Sequence, residues 1–476
     1  MSSFSLGRLP CREFEDKTQT ILLLDKDDPR FTPSLLLPPE ILGEIFTHCL
    51  EQEMLSPDPK NAPLLLYNVC RRWREVALST PSLWGSLAIH FPSHQSRRNT
   101  YQNWLSRARN APLTIFFEEA WEDVVHSPDS TVTIPTLLES SPQWRSLKLA
   151  LGPGLHLIGL LFGDSKEFSP TVPFLEELTL SVGSLPHHVS LSFRDIPKLR
   201  HFTLDSYRPE MQVPWRQLTM FRCAKIIVQD TLEILRNSCN LVDCSLRVYH
   251  RFQFPGVPAD SRVDHPRLES LAVDFKDRRT AVLLDRLNAP ALKSLTIRSV
   301  VAALTERFLS FISHSSIQLH TLTIISPLRS DAHIVECLKA TPSLVHLKVS
   351  VARAQTLFAQ LIGQPDFLPK LESLHIILDA EIRHVSPLTT SASTSLVVGL
   401  LHWRWTSQAL LVAQLRSFRL VYPPSGMHLV NTLQLDPEVH RLQTEGMVVS
   451  VESWDGTNDS DILFTASSLS RRARRQ

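Results

Sequence analysis

The sequence predicts an α/β protein in two parts, a small all-helical module followed by an irregular solenoid of short parallel strands with helices on its convex side. Three observations carry this expectation. Apolar residues between Leu37 and Leu78 recur at the spacing that gathers them along one face of a helix. Beyond them a Leu-x-x-Leu-x-Leu pattern returns at intervals of about 24 to 27 residues. Composition agrees: leucine makes up about a sixth of the 476 residues, and the 33 prolines are many and the 14 glycines few against average usage of about 5% and 7%.

The amino-terminal pattern begins at Leu37-Pro38-Pro39-Glu40-Ile41-Leu42. Proline is tolerated in a helix's first turn, where its missing N–H would have had no partner, and Glu40 there meets the positive end of the helix dipole. A helix therefore starts near Pro39, with Ile41, Leu42, Ile45, Phe46, Cys49 and Leu50 as its apolar stripe. After Pro57, Pro59 and Pro63, the segment Leu64 to Leu78 places Leu65, Leu66, Val69, Cys70, Trp73, Val76 and Ala77 at the same kind of spacing and reads as a second helix. It ends before Pro81, with Leu83 and Trp84 just beyond.

Periodicity alone fits any small helical subdomain, but the residue identities go further. Leu37-Pro38-Pro39-Glu40-Ile41-Leu42, then Ile45-Phe46, Val69-Cys70-Arg71-Arg72-Trp73-Arg74 and Pro81-Ser82-Leu83-Trp84 resemble the F-box motif. The long connection Glu51 to Pro63 is similar to an insertion common in the fungal branch of that family. The resemblance implies a compact helical domain, here at residues 35–85 after an extension at 1–34, that docks on the small adaptor subunit of SCF-type ubiquitin ligases and through it on a cullin. It passes docking or core roles to Leu37, Pro38, Ile41, Leu42, Ile45, Val69, Cys70 and Trp73 without sorting one role from the other. Arg71, Arg72 and Arg74 read as the wet face of the second helix.

The repeat copies run Leu175-Leu178-Leu180, Leu199-Phe202-Leu204, Leu241-Cys244-Leu246, Leu268-Leu271-Val273, Leu292-Leu295-Ile297, Leu319-Leu322-Ile324, Leu344-Leu347-Val349, Leu371-Leu374-Ile376 and Leu415-Phe418-Leu420. The last two positions of each copy lie two apart and so point to one side of a strand. Weaker copies stand at Trp144-Leu147-Leu149 and Trp215-Leu218-Met220, and helix-like runs at 230–237, 302–313, 331–339 and 354–363 separate the strands. The pattern resembles a leucine-rich repeat, although the asparagine many such repeats carry after the strand is replaced by Gly183, Tyr207, Lys276 and Val300. Ser86 to Glu119, with strands at Leu87–Phe91 and Leu113–Phe117 around a helix at Arg97–Arg109, reads as a cap. The solenoid with its cap is expected over 86–463, leaving a basic tail at 464–476.

The net charge of +1 gives no long-range field to draw nucleic acid or an anionic membrane, and neither is an expected partner. The tail Arg471-Arg472-Ala473-Arg474-Arg475 reads either as an import signal or nucleic-acid contact, or as a solvated run. Seven scattered cysteines make neither a disulfide framework nor a metal pair. The run Ile21 to Leu24 is too short for a signal-peptide core, and no apolar run approaches the ~20 residues of a membrane span. The cytoplasm or nucleus is the expected compartment. Gly152-Pro153-Gly154 with Gly159 misses every phosphate-loop pattern, His187-His188 lacks a third ligand, and Cys239 and Cys244 read as core thiols. No metal, cofactor or catalytic role is expected.

A docking module joined to a repeat scaffold reads as a connector, the substrate-recognition subunit of an SCF-type ubiquitin ligase. The expected target surface is the inner sheet face, made by Asp243, Ser245, Arg247, Ser270, Asp274, Ser294, Thr296, Arg298, His346, Lys348, Ser373 and His375. The alternative is a repeat-based protein-interaction scaffold acting outside ubiquitination.

Overall fold

The computed structural model describes residues 37–50, 55–91, 98–119, 137–151, 158, 161–163, 170–182, 190–250, 262–299, 304–325, 331–351, 354–378, 390–406, 412–422 and 427–453. The amino-terminal extension, residues 51–54, the glycines at 152–159, His187-His188 and the basic tail lie outside the described residues. The chain divides into two compact units, residues 1–89 with 93–115 and residues 90–92 with 116–476.

In the first unit, helix α1 spans Pro39–His48, and the Leu42 N–H closes its first turn on the Pro38 carbonyl at 3.0 Å. The single helix expected over 64–78 is two, α2 at Leu64–Val69 and α3 at Arg71–Ser79. Cys70 between them is extended (φ −153°, ψ 172°), and its thiol accepts the Trp73 N–H at 3.5 Å as the cap of α3. An extended residue breaks the helix without disturbing its stripe, which is why periodicity did not reveal the joint. Gly43 lets α1 approach the last turn of the module, since a Cβ there would meet the Thr80 hydroxyl at 2.8 Å.

Leu42, Phe46, Leu66, Val76, Ala77, Leu83 and Trp84 form the core, with the Phe46 and Trp73 rings 4.9 Å apart. The buried Trp84 indole donates to the Ala77 carbonyl at 2.9 Å, satisfying a polar group that burial would otherwise penalise. Strand β1 (Ser86–Phe91), helix α4 (Arg98–Ala108) and strand β2 (Leu113–Glu119) follow. Trp104 of α4 packs edge-on against Trp84 and donates to the carbonyls of Trp84 and Ser86, both at 3.1 Å.

The second unit lays its strands down in chain order. They are β3 (Trp144–Leu151), β4 (Glu177–Val182), β5 (His201–Leu204), β6 (Met220–Ile227), β7 (Asp243–Tyr249), β8 (Val263–Asp264), β9 (Ser270–Phe275), β10 (Leu287–Asn288), β11 (Ser294–Ser299), β12 (Thr321–Ile325), β13 (His346–Val351), β14 (Ser373–Leu378), β15 (Ser417–Tyr422) and β16 (Val448–Ser453). β8 and β10 form a separate parallel pair; the others join one open sheet, each beside its chain neighbours. From β3 onward the recorded pairings are parallel.

Register follows the leucines. Leu271, Leu295, Leu322, Leu347, Leu374 and Phe418 stand opposite one another, as do Val273, Ile297, Ile324, Val349, Ile376 and Leu420. All of them are buried, and a slip by one residue would turn each set out of the core. Helices at Val228–Asn237, Val282–Arg286, Leu304–Ser315, Asp331–Lys339, Gln355–Gly363 and Thr390–Thr406 form a second layer, each packed on the next.

One repeat copy is corrected and one strand is added. The weak copy Trp215-Leu218-Met220 is displaced by three residues: Leu218, Phe221 and Cys223 are the buried set, and Phe221 stands opposite Phe202 and Cys244. Phenylalanines fill the irregular copies here, with Phe162, Phe193, Phe202 and Phe221 following ring to ring at 5.0, 5.2 and 6.2 Å. β16 adds a strand beyond Leu415-Phe418-Leu420, where valine stands in place of leucine.

Candidate functional site

The helical module keeps one face of each early helix in solvent. Ile41 and Ile45 of α1 are 50% and 43% exposed, and Leu65 and Val69 of α2 are 48% and 54% exposed. Each pair lies four residues apart, hence on one side of its helix. Among the described residues only Phe174, Val242, Leu435 and Val448 are comparably exposed large apolar side chains, scattered over a much longer stretch.

Leu42, grouped with these positions in the sequence, belongs to the core at 2% exposure. Pro38 is exposed, while Leu37, Cys70 and Trp73 are half-buried. Leu65 was visible in the stripe but absent from the motif positions, and its exposure puts it with Ile41, Ile45 and Val69.

The three arginines of α3 do not share one wet face. Arg71 pairs with Glu75 at 3.1 Å in solvent, but the half-buried Arg72 donates to the Leu37 carbonyl at 2.5 Å. Arg74 donates to the Tyr67 carbonyl at 3.2 Å and lies over its ring. Arg72 thus ties the start of the motif to α3.

On the sheet, the residues between the buried positions form lateral rows. Asp243, Ser270, Ser294, Thr321, His346, Ser373 and Ser417 make one, and Arg222, Ser245, Ala272, Thr296, Thr323, Lys348, His375 and Arg419 a second. Arg247, Asp274 and Arg298 stand in a third. The twelve residues expected from the sequence therefore fall in three adjacent rows. Thr321, Thr323, Ser417 and Arg419 were missed although the same rule reaches them, and Arg222 was hidden by the displaced repeat.

Not all twelve are surface. Asp274 is 1% exposed and Ser245 4%, so neither offers a contact to a partner. Asp274 accepts from Arg247 at 2.9 Å and Lys276 at 3.0 Å through one oxygen, while its other oxygen has no hydrogen-bond partner. Burial raises the carboxyl of Asp205 above its ordinary value, although the Ser181 hydroxyl reaches it at 2.7 Å. Arg222 pairs with Asp243 at 3.2 Å and Arg419 with Glu452 at 2.7 Å.

The thiols divide by burial. Cys244 is buried as expected, but Cys239 is exposed, correcting its reading as a core thiol. Burial pushes the Cys223 and Cys337 thiols up to about 12, far from the thiolate form. A cleft of about 470 Å³ lies beside Thr394, Val398, Gly399, His402, Asp436 and Glu438. Its one strongly shifted carboxylate, Glu438, is held at about 2 by hydrogen bonds from Arg441 and His402.

Among the described residues no group of three His, Cys, Asp or Glu could hold a metal ion, and no helix is long and apolar enough to cross a membrane. No protein-family model matches the chain, and a search of curated proteins finds no match to it.

Proposed function

We propose that this chain is an F-box protein with a leucine-rich-repeat body, the substrate-recognition subunit of an SCF-type ubiquitin ligase working in the cytoplasm or nucleus. In this reading the helical module docks on the adaptor, and through it on a cullin, while the sheet rows hold a target protein. The contribution to catalysis is proximity: a target lysine is brought to the ubiquitin-charged enzyme, and this chain performs no chemical step.

The observation that carries the reading is the paired exposure of Ile41 with Ile45 and of Leu65 with Val69. Four branched aliphatic side chains left in solvent on a module this small mark an interaction site. A few buried anchors dominate such interfaces, each worth about 2 kcal/mol or more when removed. Ile45→Lys with Val69→Lys should cost at least about 3 kcal/mol of adaptor affinity, more than a hundredfold, because a buried charge is added to the lost contact. Both positions face solvent, so circular dichroism should stay unchanged. Co-purification of the adaptor at wild-type yield by the folded double variant would sink the reading.

A further inference from the structure

We infer that the docking module extends past residue 85 into helix α4, and that Arg107 is a positioning residue that holds α2 with Leu65 and Val69 turned to the adaptor. This rests on the docking reading of the module and deepens it. The compact unit that contains the module also contains residues 93–115, and with them α4. Helix α2 is the member of the module least able to hold itself. It has six residues between Pro63 and the extended Cys70, no side chain caps its start, and Leu66 is its one fully buried side chain. A helix of less than two turns does not persist alone, because nucleation costs more than so few hydrogen bonds return. Its place is therefore set by contacts to its neighbours.

Tyr67 makes the contact that decides. Two residues turn a helix by about 200°, so Tyr67 points away from both Leu65 and Val69 and grips the back of the face they present. Two guanidiniums lie over its ring, Arg74 of α3 at 4.9 Å and Arg107 of α4 at 4.8 Å from the centroid. Arg107 lies at the same time over the Trp84 ring, at 4.6 Å. One cation thus bridges α2 to the end of the module. It is half-buried, a setting in which attraction to a ring face is stronger than in open water.

The helix that presents Arg107 is itself fixed. Tyr101, Trp104 and Ala108 recur along one face of α4 and are at most 1% exposed. Trp104 packs edge-on against Trp84 and donates to the Trp84 and Ser86 carbonyls, so α4 is anchored on the same tryptophan that its arginine covers. Bracing of this kind bears on binding as well as on folding. A surface that is in place only part of the time binds more weakly by that fraction, so a fall to about one tenth is a loss of about tenfold.

The test uses the full chain and the purified SCF adaptor. Arg107→Ala should weaken adaptor binding about tenfold, and Tyr67→Leu, which keeps apolar bulk but removes the ring, should do the same. Arg107→Lys, which keeps a cation beside both rings, should restore most of the affinity. Combined in one chain, Arg107→Ala and Tyr67→Leu should lose clearly less than the product of the two single losses, since both break one contact. Hydrogen exchange should quicken in α2 of either single variant while α1 keeps its protection. If Arg107→Ala does not fold, Tyr67→Leu decides. Wild-type affinity in the single variants, a full product of losses in the double variant, or unchanged exchange in α2 overturns this inference alone. A wild-type chain that binds no adaptor overturns the docking reading and this inference with it.

Discussion

His265 shows how a buried side chain writes a pH dependence into the fold. It is 1% exposed and its Nε2 lies 2.8 Å from the Ser238 carbonyl, a bond that assigns the N–H to this nitrogen. Burial lowers its proton affinity, outweighing the hydrogen bond to Ser238. The unfolded chain therefore binds a proton more readily than the folded one. Its contribution to stability is full above the ordinary histidine value of about 6.5 and is lost as pH falls through and below it. Urea midpoints should fall from pH 7.5 to pH 5, and His265→Gln, which can still donate to Ser238, should flatten that fall. An identical slope in the variant would assign the dependence to other groups.

At the scale of elements, the joint at Cys70 decides the shape of the helical module. The sequence shows one apolar stripe from Leu64 to Leu78, and both α2 and α3 keep to it. What the stripe does not carry is the backbone turn, because an extended residue between two helices leaves the spacing almost intact. A thiol accepting an N–H at 3.5 Å is a weak cap, and Ser or Asp is preferred at this position. Cys70→Asp should therefore stabilise the protein by about 0.5 to 1 kcal/mol in urea unfolding. Destabilisation instead would mean that packing of the half-buried thiol outweighs its role as a cap. The same limit explains Leu42 and Ile41: neighbours in sequence, both apolar, they part company because only one faces the rest of the module.

At the scale of the whole molecule, each strand of the second unit pairs only with strands close in the chain, so stability is distributed along the sheet. Leu295 of β11 is fully buried between Leu271 and Leu322. Leu295→Ala should cost about 2 to 5 kcal/mol locally. Hydrogen exchange should then rise in β9, β11 and β12 while β3 to β5 keep their protection. A uniform loss of protection across the sheet would show one cooperative unit instead. The displaced copy at Leu218 marks where this regularity weakens, since Phe221 and Cys223 fill leucine positions and the ladder to β7 shifts between Cys223 and Ile226.

The sequence by itself determined what depends on spacing within one element: the α/β class, the regular strands β7, β9 and β11 to β15, the outward direction of residues such as Asp243 and His375, and the apolar stripes of the module. Side-chain direction repeats with the backbone period, so alternation and helical phase can be read from one segment without its neighbours. Only the tertiary structure decided what depends on the neighbours. It buried Leu42 and left Ile45 in solvent, closed Ser245 and Asp274 away from any partner, drew Arg72 onto the Leu37 carbonyl, and set the register of β6. Burial is a property of the surface packed against a residue, and that surface is supplied by residues distant in the chain.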